Sequence, residues 1–169
     1  MKNQQIGNND DKISRNVTEI LYKLISDVVL TSQKHTAWVC VRASLPKDKF
    51  DMPRWHTDGT YYSPRDSLQY KFAAALKGSQ TLFLPMNDEM RNLYEENYTN
   101  REFLSRLFDS KKAECAQRGQ GAFFLVGNPK IAALHSEPCI HAPRLFISVL
   151  PGNQSEIEEL DHRWNFPSN

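Results

Sequence analysis

The chain has 169 residues, a formal net charge of +1, and apolar, charged and aromatic fractions of 40%, 24% and 11%. That length supports one domain with a real core, and the even charge argues against a nucleic-acid partner, which demands a basic stripe, and against an acidic tail seeking a basic partner. No apolar run approaches the length that crosses a bilayer.

Met1 to Lys12 is polar and low in large apolar residues, and is expected to be a disordered tail preceding a single domain over 13–169. The tail lacks the basic-then-apolar layout of a secretory signal. Cys40, Cys115 and Cys139 are odd in number and scattered, which fits a reducing cytoplasm. The glycosylation sequons at Asn16, Asn97 and Asn153 are then chance matches.

Ile13, Val17, Ile20, Leu21, Leu24, Ile25 and Val28 recur at three- and four-residue steps, which predicts an amphipathic helix packed on the outside of a sheet. Thr36 to Ala43 is β-branched and aromatic and reads as a strand. Leu45 to Pro53 reads as a loop, followed by Trp55 to Tyr62 and a polar turn. Gln69–Leu76 and Gln80–Leu84 read as strands joined by the Lys77-Gly78-Ser79 turn. Asn87 to Arg118 breaks the rhythm as a helical insertion, capped at Asn87 or Asp88 and again by a box from Thr99 to Glu102. Ala122–Val126, Ala132–His135 and Leu145–Leu150 supply the last strands, and a polar tail follows Pro151-Gly152. Many short strands with helices outside predict a mainly β jelly-roll barrel or sandwich, with an N-terminal packing helix and a helical insertion.

The chemistry concentrates in two segments. Arg54-Trp55-His56-Thr57-Asp58-Gly59 offers an imidazole and a carboxylate at i and i+2, which share one face of a strand. The segment from Leu134 to Arg144 offers His135 near a strand end, and an arginine nine positions on that enters an apolar run. A buried arginine requires a partner, and guanidinium grips carboxylates bidentately. Two histidines and one carboxylate with open positions opposite form the ligand set of non-haem Fe(II) oxygenases. Blander readings exist for each piece. Asp58-Gly59 is also a hairpin signal, and Arg144 would also suit an exposed strand edge or an ion pair with Glu137. A zinc site from His135, Cys139 and His141 lacks a fourth ligand nearby.

Together these segments resemble the 2-oxoglutarate/Fe(II)-dependent dioxygenase superfamily, and most of all its small branches with a Trp-His-x-Asp-Gly motif. The resemblance covers roughly Trp38 to Gly152 and includes the Gly-Ser-Gln-Thr-Leu-Phe segment after the early motif and the Gly121–Val126 strand before the late histidine. It implies a double-stranded β-helix, with His56, Asp58 and His135 as iron ligands and Arg144 as the anchor for the distal carboxylate of 2-oxoglutarate. His141 competes with His135 but lies in the turn before Arg144, so His135 is preferred. Many members carry a hydroxyl residue two positions after the arginine. Phe146 stands there, and Ser148 on the same strand face is the expected substitute. A further co-substrate contact falls on Tyr70 or Lys71. Alternation admits only one of them, and Tyr70 is preferred because lysine is more often solvated.

The implied function is a cytoplasmic oxygenase. It would use Fe(II), 2-oxoglutarate and O2 to hydroxylate or demethylate a small molecule or an amino-acid side chain, releasing succinate and CO2. The alternatives are a non-catalytic jelly-roll module binding a metal or small molecule, and a protein-interaction domain presenting the insertion. No membrane partner is expected, and a homo-oligomer is among the open options. Trp55, Tyr61, Tyr62 and Phe72 are candidates for either the substrate side or the core.

Overall fold

Strand β7 (Arg144–Gly152) is the spine of the molecule, buried along nearly its whole length and paired on both edges. The computed structural model describes residues 2–46, 52–64, 67–108, 110–139 and 141–165. Antiparallel to β7 on one side lies β1 (Thr36–Ser44), with Thr36 opposite Gly152. On the other side lies β2 (Gln69–Lys77), with Phe72 opposite Val149, and β5 (Ala122–Val126) pairs with the far edge of β2. The result is a four-stranded sheet in the order β1-β7-β2-β5. A second antiparallel sheet has the order β4-β3-β6, from Glu114–Cys115, Leu82–Leu84 and Leu134–Ser136.

Alternation along the strands sorts side chains into three layers. Phe146 and Leu150 of β7 face the second sheet, in a core with Tyr62, Ala73, Phe124 and Val126. Phe83 of β3 meets Phe124 of β5 edge-on at 4.9 Å and ties the sheets together. Ile147 and Val149 point the other way, onto Val28 of helix α1 (Lys2–Thr31). Leu84 and Leu134 point out of the second sheet. There they meet Tyr94 of α2 (Asp88–Asn97) and Leu104 of α3 (Arg101–Leu107). The predicted packing helix and helical insertion thus cover the outer faces of the two sheets.

Several details differ from the sequence reading. Helix α1 begins at Lys2, so its backbone takes in residues for which composition predicted a disordered tail. The cap of α3 is Asn100, whose side chain accepts from the Phe103 N–H, rather than Thr99 one position earlier. The polar tail after Gly152 is a helix, α4 (Gln154–Asn165), anchored by buried Leu160. A 3-10 turn spans Ser110–Lys112. No helix among the described residues is long and apolar enough to cross a membrane.

Of the expected barrel or sandwich, the described residues form two open antiparallel sheets and close no barrel. The stretch 54–62 joins the second sheet through one antiparallel bridge, His56 to His135. Its other backbone groups find partners outside any ladder. Thr57 N–H donates to the Tyr94 hydroxyl, Asp58 C=O accepts from Gly127 N–H, and Tyr61 N–H donates to the Gln69 side chain. Backbone groups satisfied in this way do not build a strand.

Ile147 is fully buried between β7 and α1. Ile147→Ala should therefore cost roughly 2–5 kcal/mol, read from urea unfolding midpoints. A cost below about 1 kcal/mol would mean that α1 does not seal this face.

Candidate metal centre and its cavity

The His56–His135 bridge is a reciprocal pair. Each backbone N–H donates to the other residue's carbonyl at 2.9 Å. Opposed residues of an antiparallel pair put their side chains on the same face. The two imidazole rings accordingly lie 4.3 Å apart, centroid to centroid. Asp58, two residues after His56, joins them. His56 Nε2 lies 3.9 Å from Asp58 Oδ1, and His135 Nε2 lies 3.6 Å from Oδ2. One ligand atom from each of the three residues lies within 4.8 Å of the others.

Both rings are oriented from behind. His56 Nδ1 lies 2.8 Å from the Arg54 carbonyl, and His135 Nδ1 lies 3.0 Å from the Ala133 carbonyl. A carbonyl only accepts, so each Nδ1 carries a proton and each Nε2 is turned towards the cluster. Burial, with repulsion from His56 behind it, pushes the His135 imidazole down to about 4. It is therefore neutral, as a metal ligand must be.

Burial alone would raise the Asp58 carboxyl. The Lys71 ammonium, 2.8 Å from Oδ2, together with His135 and His56, offsets this and holds the carboxyl below its ordinary value. Burial alone would lower Lys71, but Asp58 and Tyr61 together raise it, and it donates to the Tyr61 hydroxyl at 3.0 Å. The alternation of β2 is thus resolved against the sequence preference. Lys71 faces the cluster, while Tyr70 stacks on Phe123 at 5.2 Å and lines no part of the cavity. The signal available in the sequence was Asp58 itself, a carboxylate among apolar and aromatic neighbours that a nearby cation would offset.

The cluster opens into a cavity of about 470 Å³, which also takes in Arg144, Phe146 and Thr81. Arg144 is 6% exposed, with Nε donating to the Ser79 carbonyl and Nη2 to Thr81 Oγ1. Burial lowers its pKa somewhat, against attraction from Glu137. The alternative pairing with Glu137 is not made, and Glu137 is held by Arg54 at 2.8 Å. The Arg144 guanidinium instead rests 4.5 Å from the centre of the Phe146 ring. Ser148 is buried on the same face of β7 but does not line the cavity.

Of the four aromatic candidates, only Tyr61 lines the cavity. Trp55 packs edge-on to Phe108 under the insertion, Tyr62 donates to the Pro151 carbonyl in the core, and Phe72 faces the α1 layer. His141 is exposed and does not join the cluster, whereas His135 does. Cys139 does not join it either, so the zinc alternative has no site among the described residues.

Tyr94 was not anticipated. Its hydroxyl accepts from Thr57 N–H at 2.9 Å and lies 3.3 Å from Thr57 Oγ1, so the insertion holds the backbone between His56 and Asp58. Trp164, which lines the cavity from α4, was also missed, although Ile157, Leu160 and Trp164 carry a helical spacing.

Compared with models of protein families, with curated proteins and with solved structures, the chain matches none.

Two outcomes follow from this geometry. Tyr94→Phe should leave the far-UV circular dichroism unchanged and weaken Co(II) binding about 10-fold, within the range typical of lost outer-shell support. Unaltered Co(II) affinity would mean that the Thr57 backbone needs no such support. The second outcome concerns pH. His135 titrates below its ordinary value in the folded protein, so the unfolded chain takes up this proton first on acidification. Metal-free protein should lose stability as pH falls from 6.5 towards about 4. The loss is on the order of 2–3 kcal/mol in urea unfolding, and His135→Gln should flatten that window.

Proposed function

We propose that this chain is an Fe(II)- and 2-oxoglutarate-dependent oxygenase that hydroxylates or demethylates its substrate. The observation that carries the reading is the convergence of His56, Asp58 and His135 on one point of a cavity that also holds the buried guanidinium of Arg144. Two imidazoles and one carboxylate grouped on one side suit Fe(II) and leave coordination positions towards the cavity. The two oriented Nε2 atoms and the ionised carboxylate are a fitting donor set.

The strand order supports the same reading. We take the two open sheets as the halves of a double-stranded β-helix, in which consecutive strands pass between facing sheets. β1, the His56 bridge and β2 alternate between the sheets, β3 and β4 lie together in the second, and β5, β6 and β7 alternate again.

When bound, Fe(II) and 2-oxoglutarate would supply the oxidising chemistry, consuming O2 and releasing succinate and CO2. The residues of this chain provide the setting. His56, Asp58 and His135 would hold the metal. Arg144, fixed by Ser79 and Thr81, would receive the distal carboxylate of the co-substrate. Lys71 keeps Asp58 ionised and fixes its second oxygen. Phe124 and Phe146 give the cavity apolar walls that limit water.

A second reading is a non-catalytic module. Lys71 is the observation in its favour, because its ammonium already compensates the Asp58 charge without a metal.

One experiment separates them: anaerobic addition of Fe(II) and 2-oxoglutarate, followed by visible absorption. The oxygenase should give a weak charge-transfer band that needs both additions and vanishes in His56→Ala and His135→Ala. Arg144→Leu should raise the 2-oxoglutarate Kd by about 30-fold or more, the loss of one buried charge-assisted contact. Absence of the band in folded wild-type protein would remove the oxygenase reading.

A further inference from the structure

The cavity carries more positive charge than its own acids offset. Asp58 is held by Lys71 and Glu137 by Arg54. Arg144 and Arg42 remain, and among the described residues neither lies within 4.0 Å of a carboxylate. Both guanidiniums lie over the same ring, 4.5 Å and 5.4 Å from the centre of Phe146. Like charges brought together beside a low-dielectric wall repel unless an anion joins them.

The two arginines differ in depth. Arg144 is buried and fixed by two hydrogen bonds. Arg42 is exposed, on the edge strand β1, whose inner-face neighbour Ser44 also lines the cavity. Helix α4 packs against β1 and brings Trp164 to the same cavity, with 64% of that residue's surface open to solvent. If the co-substrate seats on Arg144, as the proposed function holds, it leaves Arg42 free for a second ligand.

We propose that Arg42 and Trp164 form an outer subsite for an anionic group, a carboxylate or a phosphate, on the substrate that is oxidised. Guanidinium binds either oxyanion through paired N–H donors. The indole offers a flat apolar surface to the adjoining carbon skeleton. A net charge of +1 gives the molecule no broad field for polyanions, so the selection is local to the cavity. The substrate class is a small organic anion.

The test uses the full chain, anaerobic, with Fe(II) and saturating 2-oxoglutarate at fixed ionic strength. Benzoate, phenyl phosphate and neutral benzyl alcohol are titrated while tryptophan fluorescence is followed. At least one anion should give saturable quenching that Trp164→Phe removes and that Arg42→Gln weakens 10-fold or more, with benzyl alcohol inert. The tighter of the two anions identifies the oxyanion. Equal binding of benzyl alcohol, no saturable binding of either anion, or an Arg42→Gln response equal to wild type would overturn the subsite. So would anion binding seen only without 2-oxoglutarate and lost in Arg144→Leu, which would assign the anion to the co-substrate position. Failure of the proposed function is distinct: the charge-transfer band would be absent while Arg42-dependent anion binding persists.

Discussion

A single antiparallel bridge organises the site. His56 and His135 are 79 positions apart in the chain, and nothing local brings them together. The two reciprocal hydrogen bonds at 2.9 Å do so. Because opposed residues in such a pair share a face, the bridge sets both imidazoles side by side, and the two-residue period adds Asp58 to the same side. A shift of one residue in that pairing would turn the histidines away from the cavity. The surrounding structure resists that shift. Tyr94 holds Thr57, Gly127 N–H holds the Asp58 carbonyl, and the Gln69 amide bonds both Tyr61 N–H and the Tyr62 carbonyl.

This accounts for the packing of the outer layers. The insertion buries Tyr94, Leu104 and Phe108 against the outer side of the second sheet, next to Trp55. Its second effect is to carry the Tyr94 hydroxyl to the turn between two of the candidate ligands. On the opposite side, α1 seals Ile147 and Val149, which fixes the face on which Arg144 and Phe146 must lie. The elements that look peripheral in the chain thus determine the register of those that line the cavity.

Much of this was legible in the sequence because strand and helix periods are local properties. The strand from Thr36, the strand from Gln69, the capped insertion and the Ala122–Val126 strand all appear where the pattern places them. His56 and Asp58 were legible as a pair because i, i+2 alternation is local, whereas His135, 79 positions from His56, was joined to them only through the resemblance to a known motif order. The misses have different causes. Tyr70 was preferred over Lys71 because a lysine on a strand is usually solvated. That prior gives way where a half-buried carboxylate lies 2.8 Å away, a contact fixed only by tertiary structure. Tyr94 carries no chemical motif, and its role depends wholly on where α2 lands. Trp164 was overlooked because a polar stretch concealed a spacing of three and four residues.

The ion pair between Asp58 and Lys71 bears on how the proposed centre would acquire its metal. Asp58 is the one carboxylate in the donor set, and its charge is already offset by an ammonium at 2.8 Å. The three protein donors therefore bring little net negative charge to a dication. A divalent ion entering alone would meet Lys71 and Arg144 in the same cavity, both repelling it. An anionic ligand arriving with the ion reverses the balance. One end can neutralise the metal while the other satisfies the Arg144 guanidinium, which has no carboxylate of its own among the described residues. Under the proposed function, a metal and its anionic co-substrate would therefore bind as a coupled pair, each offsetting the charge that the other meets in the cavity.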